Sequence, residues 1–250
     1  MNILTSFFEN TKTYFQENRN LALKDYFNDW TLWEKFWISF ASIAITVASI
    51  FTWDTTNQFA SWLALISSIS GIWCVFLTAK KRISNYIIGF VNVVFYAWAA
   101  YTWKLYGDFM LNAFYFLPMQ FVGWHLWVKP EAKVASDEVE GGKLTPVLRM
   151  VVGAVSVIGV YLYGKILTAL GGNTPYIDSL TTVFSVVAMV LMAKRYMEQW
   201  ILWIIVDVTS TIMWLNICFN EGGMMNFGLA IMWMLWTVNA TWGYLKWRKA

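Results

Sequence analysis

LMAKRYMEQWILWIIVD (191–207) reads as the end of one apolar helix, a turn through two cations, and the start of another. Trp200 and Trp203 stand three apart after the turn, and Asp207 follows four residues later inside an otherwise hydrophobic run. A second stretch, LTAKKRISNYIIGFVN (77–92), has the same layout. Both end a run with Ala-Lys, turn through cations, and open the next run with an aromatic. Both then place a polar residue about midway, Asn92 in one and Asp207 in the other. Downstream, QFVGWHLW (120–127) is echoed by NATWGYLKW (239–247), each with an amide, a Gly/Trp pair and a final Trp. In that pairing Asn239 is the counterpart of Gln120. The chain is therefore read as an internal repeat.

The composition says what kind of repeat. Of 250 residues 58% are hydrophobic and 13% charged, with 17 Trp and 18 Phe, whereas soluble proteins carry about 25% charged residues. The apolar runs fall at 34–52, 57–79, 83–104, 108–128, 147–170, 178–195, 198–219 and 223–247. Most approach the roughly 20 residues that cross a bilayer as a helix. They are continuous rather than alternating, which excludes a β-barrel. The expectation is an all-α polytopic membrane protein with eight transmembrane helices. Residues 1–33 are expected to form an interfacial or cytoplasmic arm rather than a signal peptide, because no basic n-region or cleavage site follows Met1.

Charge sets the orientation. The N-terminal region, the 79–83 turn, the 129–149 loop, the 194–195 turn and the tail hold sixteen of the eighteen lysines and arginines. The positive-inside rule puts these segments, and both termini, in the cytoplasm. Lys104 and Lys165 remain on the other side. The net charge of +3 thus reflects topology and gives no reason to expect nucleic-acid binding. Cys74 and Cys218 lie in runs without a C-x-x-C partner, so no disulfide framework is expected. His125, the lone histidine, has no acidic pair for a metal and reads as a core or interfacial residue. Trp53, Trp103, Trp127, Trp242 and Trp247 stand near run ends and read as interface anchors.

The spacing yields two triplets of runs, second to fourth and sixth to eighth, with the fifth between them. One connecting helix lets both triplets face the same way, a parallel repeat about the membrane normal. The expected organisation is an N-terminal arm and extra helix (1–56), a first three-helix bundle (57–128), a loop and linker helix (129–170), and a second bundle with its tail (171–250). PEAKVASDEVEGGKLT (130–145), with four acids and two adjacent glycines, is the cytoplasmic linker.

Polar residues inside the runs mark the candidate site. An ionisable group at a span centre costs roughly 2.5–3.5 kcal/mol on insertion scales and usually faces a bundle interior, a partner or a water-filled cavity. At 100° per residue Trp200, Trp203, Asp207 and Thr211 share one face. Asn85, Gly89, Asn92 and Tyr96 form the matching stripe on the third run. Asn112, Pro118 and Gln120 lie on the fourth, where a mid-span proline bends the helix. These residues and Asn239 predict a central cavity near the midplane, lined by amides, one acid and aromatics. Indoles stack on a flat ring or hold a cation, and amides bond hydroxyls or a carboxamide. For Trp200 an anchoring role competes with a binding role. Asn92 and Gln120 have a second reading as interhelical glue, worth roughly 0.6 kcal/mol each.

ISNYIIGFVN (83–92), LYGDFMLN (105–112), FVGWHLW (121–127) and DSLTTVFSVVAMVLMAKRYMEQWILWIIVDV (178–208) carry a resemblance to the PnuC family of bacterial nicotinamide riboside transporters. It spans about residues 57–247. The resemblance implies a fold like that of the SWEET sugar transporters, with two three-helix bundles joined by one helix, and a homotrimer in the bacterial inner membrane. It implies facilitated diffusion of nicotinamide riboside, a precursor of NAD, with retention through phosphorylation by a cytoplasmic riboside kinase. Asn85, Tyr86 and Asn92 match one family block. Trp200 and Trp203 match the W-x-x-W element expected at the nicotinamide end, and Gln120 matches an amide position. The chain departs from the family pattern at Asp207, where the pattern carries an asparagine.

Alternatives stay in play at this point. A carrier of the same architecture for another vitamin, nucleoside or sugar would also use amides and aromatics, and Asp207 would serve proton coupling. A retinal-type photoreceptor would need a lysine mid-span in the last helix, but Lys246 lies at its end. An enzyme would need convergent nucleophile, base or metal ligands, which one histidine and two isolated cysteines do not supply. No cofactor is expected.

Overall fold

The computed structural model describes residues 3–18, 27, 29–102, 106–135, 137–171, 174–221 and 224–249. Trp103 and Lys104, named above, lie outside them, as do Arg19 and Lys24 of the N-terminal region and the side chain of Cys218. Helices dominate the described residues: α1 (Ile3–Asn18), α2 (Leu32–Phe51), α3 (Gln58–Ala79), α4 (Asn85–Thr102), α5 (Tyr106–Leu111), α6 (Leu117–Trp127), α7 (Pro146–Ala169), α8 (Pro175–Ala193), α9 (Gln199–Glu221) and α10 (Met224–Arg248). A short ribbon pairs β1 (Lys133–Ala135) antiparallel with β2 (Glu138–Val139). Among the described residues, four helical segments are long and apolar enough to cross a membrane: Leu32–Phe51, Ser61–Ala79, Pro146–Ala169 and Pro175–Ala193. The chain divides into two compact units, Met1–Glu140 and Gly141–Ala250.

In the first unit α2 packs on α3, α3 on α4, and α4 on α6. The run around Pro118 is interrupted as expected. A π-helical segment, Asn112–Phe116, joins α5 to α6, and Pro118 sits in the first turn of α6. The wider turn accommodates the backbone bond that proline cannot make. The amphipathic α1 lies against α6, where Trp124 Nε1 donates to Thr11 Oγ1 at 2.9 Å and Tyr14 meets the Trp124 ring edge-on.

The extra helix α2 is tied in by a buried ion pair. Thr31 caps it in a capping box with Glu34. The same Glu34 carboxylate accepts from Lys80 Nζ at 2.9 Å, at the end of α3, and Lys80 also lies over the Trp30 ring. Lys80 Nζ also lies 3.4 Å from Asp29 Oδ2, so it meets two carboxylates.

The two cationic turns have one geometry. Lys81 and Arg195 both adopt left-handed backbone, with φ of 59° and 63°. Each is the residue past a helix end in a Schellman pattern: Arg82 N donates to Leu77 O and Tyr196 N to Leu191 O, both at 2.9 Å. Glycine is the usual occupant, so a side chain there is strained by roughly 1–2 kcal/mol. Backbone from the linker closes each turn. In the first unit Ile83 N donates to Asp137 O (3.0 Å) and Val139 N to Lys81 O (3.1 Å). In the second, Met197 N donates to Gly142 O (2.9 Å) and Gly142 N to Arg195 O (2.7 Å).

An acid reinforces each closure. Asp137 accepts from Ser84 N, Ser84 Oγ and Tyr14 Oη at 2.7–2.8 Å. Burial raises its carboxyl above the ordinary range, against those bonds and the charge of Arg82. Glu198, at the position of Ser84, accepts instead from Leu144 N (3.1 Å) and Arg149 Nε (2.7 Å).

Beyond each turn an aromatic ring sits against a glycine. A Cβ built on Gly123 would lie 2.2–2.4 Å from atoms of the Tyr86 phenol, and one on Gly243 2.8–2.9 Å from Trp200 ring atoms. Trp127 meets Tyr86 edge-on at 5.2 Å and Trp247 meets Trp200 at 6.1 Å. Trp127 and Trp247 are only 0% and 2% exposed. They are core partners of these wedges, not the interface anchors expected from their place near run ends.

Gly123→Ala and Gly243→Ala are each expected to lower stability by roughly 1–3 kcal/mol through overpacking, seen as a lower melting temperature of the detergent-purified protein. Gly153, mid-helix on α7, has nothing within 4 Å of a built Cβ. Gly153→Ala is expected to be neutral or stabilising by up to about 1 kcal/mol. Equal losses at all three sites would contradict the wedge account.

Candidate functional site

The turn geometry fixes how the repeat lines up. Lys81 matches Arg195, Arg82 matches Tyr196 and Ile83 matches Met197, since each pair makes the same backbone bonds. Continuing that register, Asn85 matches Gln199, Tyr86 matches Trp200, Gly89 matches Trp203, and Asn92 matches Val206. Asp207 therefore matches Val93, so the expected pairing of Asn92 with Asp207 is off by one residue. On a helix one residue is 100° of rotation. Likewise Gly123 matches Gly243, which puts Gln120 one residue out of step with Asn239. The polar positions of the two halves are similar in kind and not superimposable.

In the first unit the amides serve packing as well as polarity. Asn92 Nδ2 donates to Ser67 O at 2.8 Å and approaches Ser67 Oγ at 3.3 Å, tying α4 to α3. Asn85 Nδ2 donates to Arg82 O at 2.6 Å and so braces the cationic turn. Tyr86 is the buried wedge already described. Gln120 is different. It is buried, its Oε1 has no hydrogen-bond partner among the described residues, and it lies across Gly89, whose added Cβ would come within 2.6 Å of it. Gly89 is thus what lets an amide from α6 reach the backbone of α4.

The second unit puts an indole at the position of Gly89. Trp203 is half-buried. Trp200, by contrast, is fully buried against Gly243 and Trp247. The W-x-x-W pair therefore splits into one indole that is wedged between helices and one that is only half-buried. Asp207 lies one turn past Trp203 on the same face and is 3% exposed. Among the described residues no group donates to its carboxyl. Asn239 is fully buried on α10, on the face that carries Trp236, Gly243 and Trp247.

One residue escaped the sequence reading. Gln199, the first residue of α9, is fully buried, and neither its Nε2 nor its Oε1 has a partner among the described residues. The signal was present in the repeat, because Gln199 stands where Asn85 stands. It was hidden by the cations before it and the tryptophan after it.

The chemistry available is that of amides, hydroxyls, indole and one carboxyl. Among the described residues no group of three or more His, Cys, Asp or Glu is placed to hold a metal. His125 packs near Phe7, with ring centroids 5.8 Å apart. A cavity of about 340 Å³ in the first unit, lined by Val93, Ala97, Trp98, Phe109 and Leu117 among others, is wholly apolar and offers nothing to a polar solute.

Comparison with known proteins gives concordant results. The family model for "Nicotinamide mononucleotide transporter" matches residues 61–249. A protein of Neisseria mucosa named nicotinamide riboside transporter PnuC is 36% identical over 229 residues, which cover 90% of this chain and 84% of that one. One of Haemophilus influenzae with the same name is 31% identical over 227 residues, covering 90% and 94%. The crystal structure of the vitamin B3 transporter PnuC superposes with a TM-score of 0.75 at 37% identity, covering 89% of this chain and 93% of that one.

Proposed function

The chain belongs to the nicotinamide mononucleotide transporter family, and from that premise we propose that it carries nicotinamide riboside across a membrane. The observation that carries this reading is the 36% identity, across nine-tenths of the chain, to a transporter named for that riboside. The family is one of transporters rather than enzymes.

The family model names the mononucleotide and the relatives name the riboside. Charge favours the riboside. A phosphate needs arginine, lysine or an open helix N-terminus. Within the apolar helices the described lysines and arginines stand toward the ends, and Lys12 lies on the amphipathic α1. Among the described residues Asp207 is the carboxyl near the middle of a span, and it repels a phosphate and suits a pyridinium cation.

In this reading Trp203 stacks on the pyridinium ring and Asp207 offsets its charge. Asn239 bonds the ribose hydroxyls. Trp200, Tyr86, Asn85 and Asn92 act one step back, by holding helices and turns. The topology that fits is eight spans in a 3+1+3 arrangement after an extra N-terminal helix, with both termini in the cytoplasm of a bacterial inner membrane. Transport is uncoupled, the working form is a homotrimer, and a cytoplasmic riboside kinase retains the substrate.

Three outcomes test the reading. Trp203→Ala is expected to weaken riboside binding by roughly 1–3 kcal/mol, as for base–aromatic stacking, while Trp200→Ala lowers the melting temperature. Unchanged binding in Trp203→Ala would return that indole to packing. Asp207→Asn is expected to weaken binding of the cationic riboside more than that of its neutral dihydro analogue, measured by calorimetry. Equal effects on both would remove charge from the account. In proteoliposomes without ion gradients, riboside is expected to equilibrate; accumulation above the outside concentration with no kinase present would overturn uncoupled transport.

A further inference from the structure

The least satisfied polar side chain in the second unit is Gln199. Its residue is 0% exposed, and both amide atoms lack a partner among the described residues. Burying an amide without hydrogen bonds costs free energy, and such a group is kept only if something repays it. Its counterpart Asn85 shows what a purely local role looks like. Asn85 bends back to the Arg82 carbonyl at 2.6 Å. Gln199 makes no matching bond to the Tyr196 carbonyl, which takes only the Gln199 backbone N–H at 3.3 Å. The longer side chain has been released from the turn.

Position gives that release a direction. Gln199 and Trp203 are four residues apart and so lie on one face of α9, and Asp207 follows one turn later. That face thus reads amide, indole, carboxyl. A primary amide presents one donor and one acceptor side by side. Its best complement is a second primary amide, which pairs with it through two hydrogen bonds at once. A carboxylate in the same place offers acceptors only, so it would leave the Gln199 carbonyl facing another oxygen.

We propose that Gln199 is the specificity residue that reads the carboxamide of the pyridine ring, so that the protein prefers the amide riboside to the corresponding acid riboside. This rests on the riboside reading above and deepens it. Trp203 holds the ring, Asp207 answers its charge, and Gln199 distinguishes what the ring carries. A site built to bond an amide rejects the analogue that leaves its groups unpaired.

The test uses Gln199→Met, which keeps the side-chain length, and Gln199→Leu as a second variant. The purified full-length protein is titrated with nicotinamide riboside and with nicotinic acid riboside, and its melting temperature is recorded. Wild type is expected to bind the amide riboside at least tenfold more tightly than the acid. Both variants are expected to lose at least tenfold for the amide riboside, to change less than about twofold for the acid, and to keep or raise the melting temperature. A residue that serves only packing would lower the melting temperature and leave the preference intact. That result, or an equal loss for both ligands, overturns the proposal. A wild type that binds the amide riboside without preferring it to the acid overturns the proposal alone. A wild type that binds neither riboside overturns the transport reading with it.

Discussion

An aromatic ring pressed against a glycine fixes the rotation of each inner helix. Tyr86 against Gly123 does this for α4 and α6, and Trp200 against Gly243 for α9 and α10. The contact is close enough that no other residue fits without a shift of the ring or the backbone. With Trp200 seated, Trp203 and Asp207 have no freedom in where they point, because each is a set number of residues further along the same helix. The same holds for Gln120, which follows from Gly123 by one turn. Lipid offers no hydrophobic drive to bring helices together, so close backbone approach at small residues supplies the packing instead.

The second constraint lies at the cationic turns. Lys81 and Arg195 occupy a backbone conformation that suits glycine. The linker offsets that strain by adding a backbone bond to each turn, and a buried acid secures each one. The acid comes from the linker in the first unit (Asp137) and from the turn in the second (Glu198). Two copies of one motif thus keep the same backbone and exchange the side chains that hold it. The same divergence runs through the site, where Gly89 and Trp203 occupy one register position.

The sequence was legible where periodicity and charge dominate. Apolar runs located the helices, cations located the turns, and the repeat paired QFVGWHLW with NATWGYLKW. It was less legible where one residue of register matters. Asn92 and Asp207 look equivalent in the string, because both are polar and roughly midway. Aligning the Ala-Lys pairs already gives the offset in the string, and the hydrogen bonds of the turns fix it. Trp127 and Trp247 looked like interface anchors since they sit near run ends; only the notches at Gly123 and Gly243 reveal them as core. Gln199 went unseen because its match to Asn85 is hidden between cations and a tryptophan, and its lack of a described partner shows only in the structure. Asp207 kept the meaning it had in the sequence, as a carboxyl in an apolar helix without a described partner.

The central claim is that the amide, indole and carboxyl along α9 suit a flat, cationic, phosphate-free riboside. A calorimetric titration of the purified protein with nicotinamide riboside, nicotinamide mononucleotide and glucose tests it most directly. The account predicts saturable binding of the riboside and at least tenfold weaker binding of both the mononucleotide and the sugar. Binding of the mononucleotide or of glucose as tight as that of the riboside would contradict it.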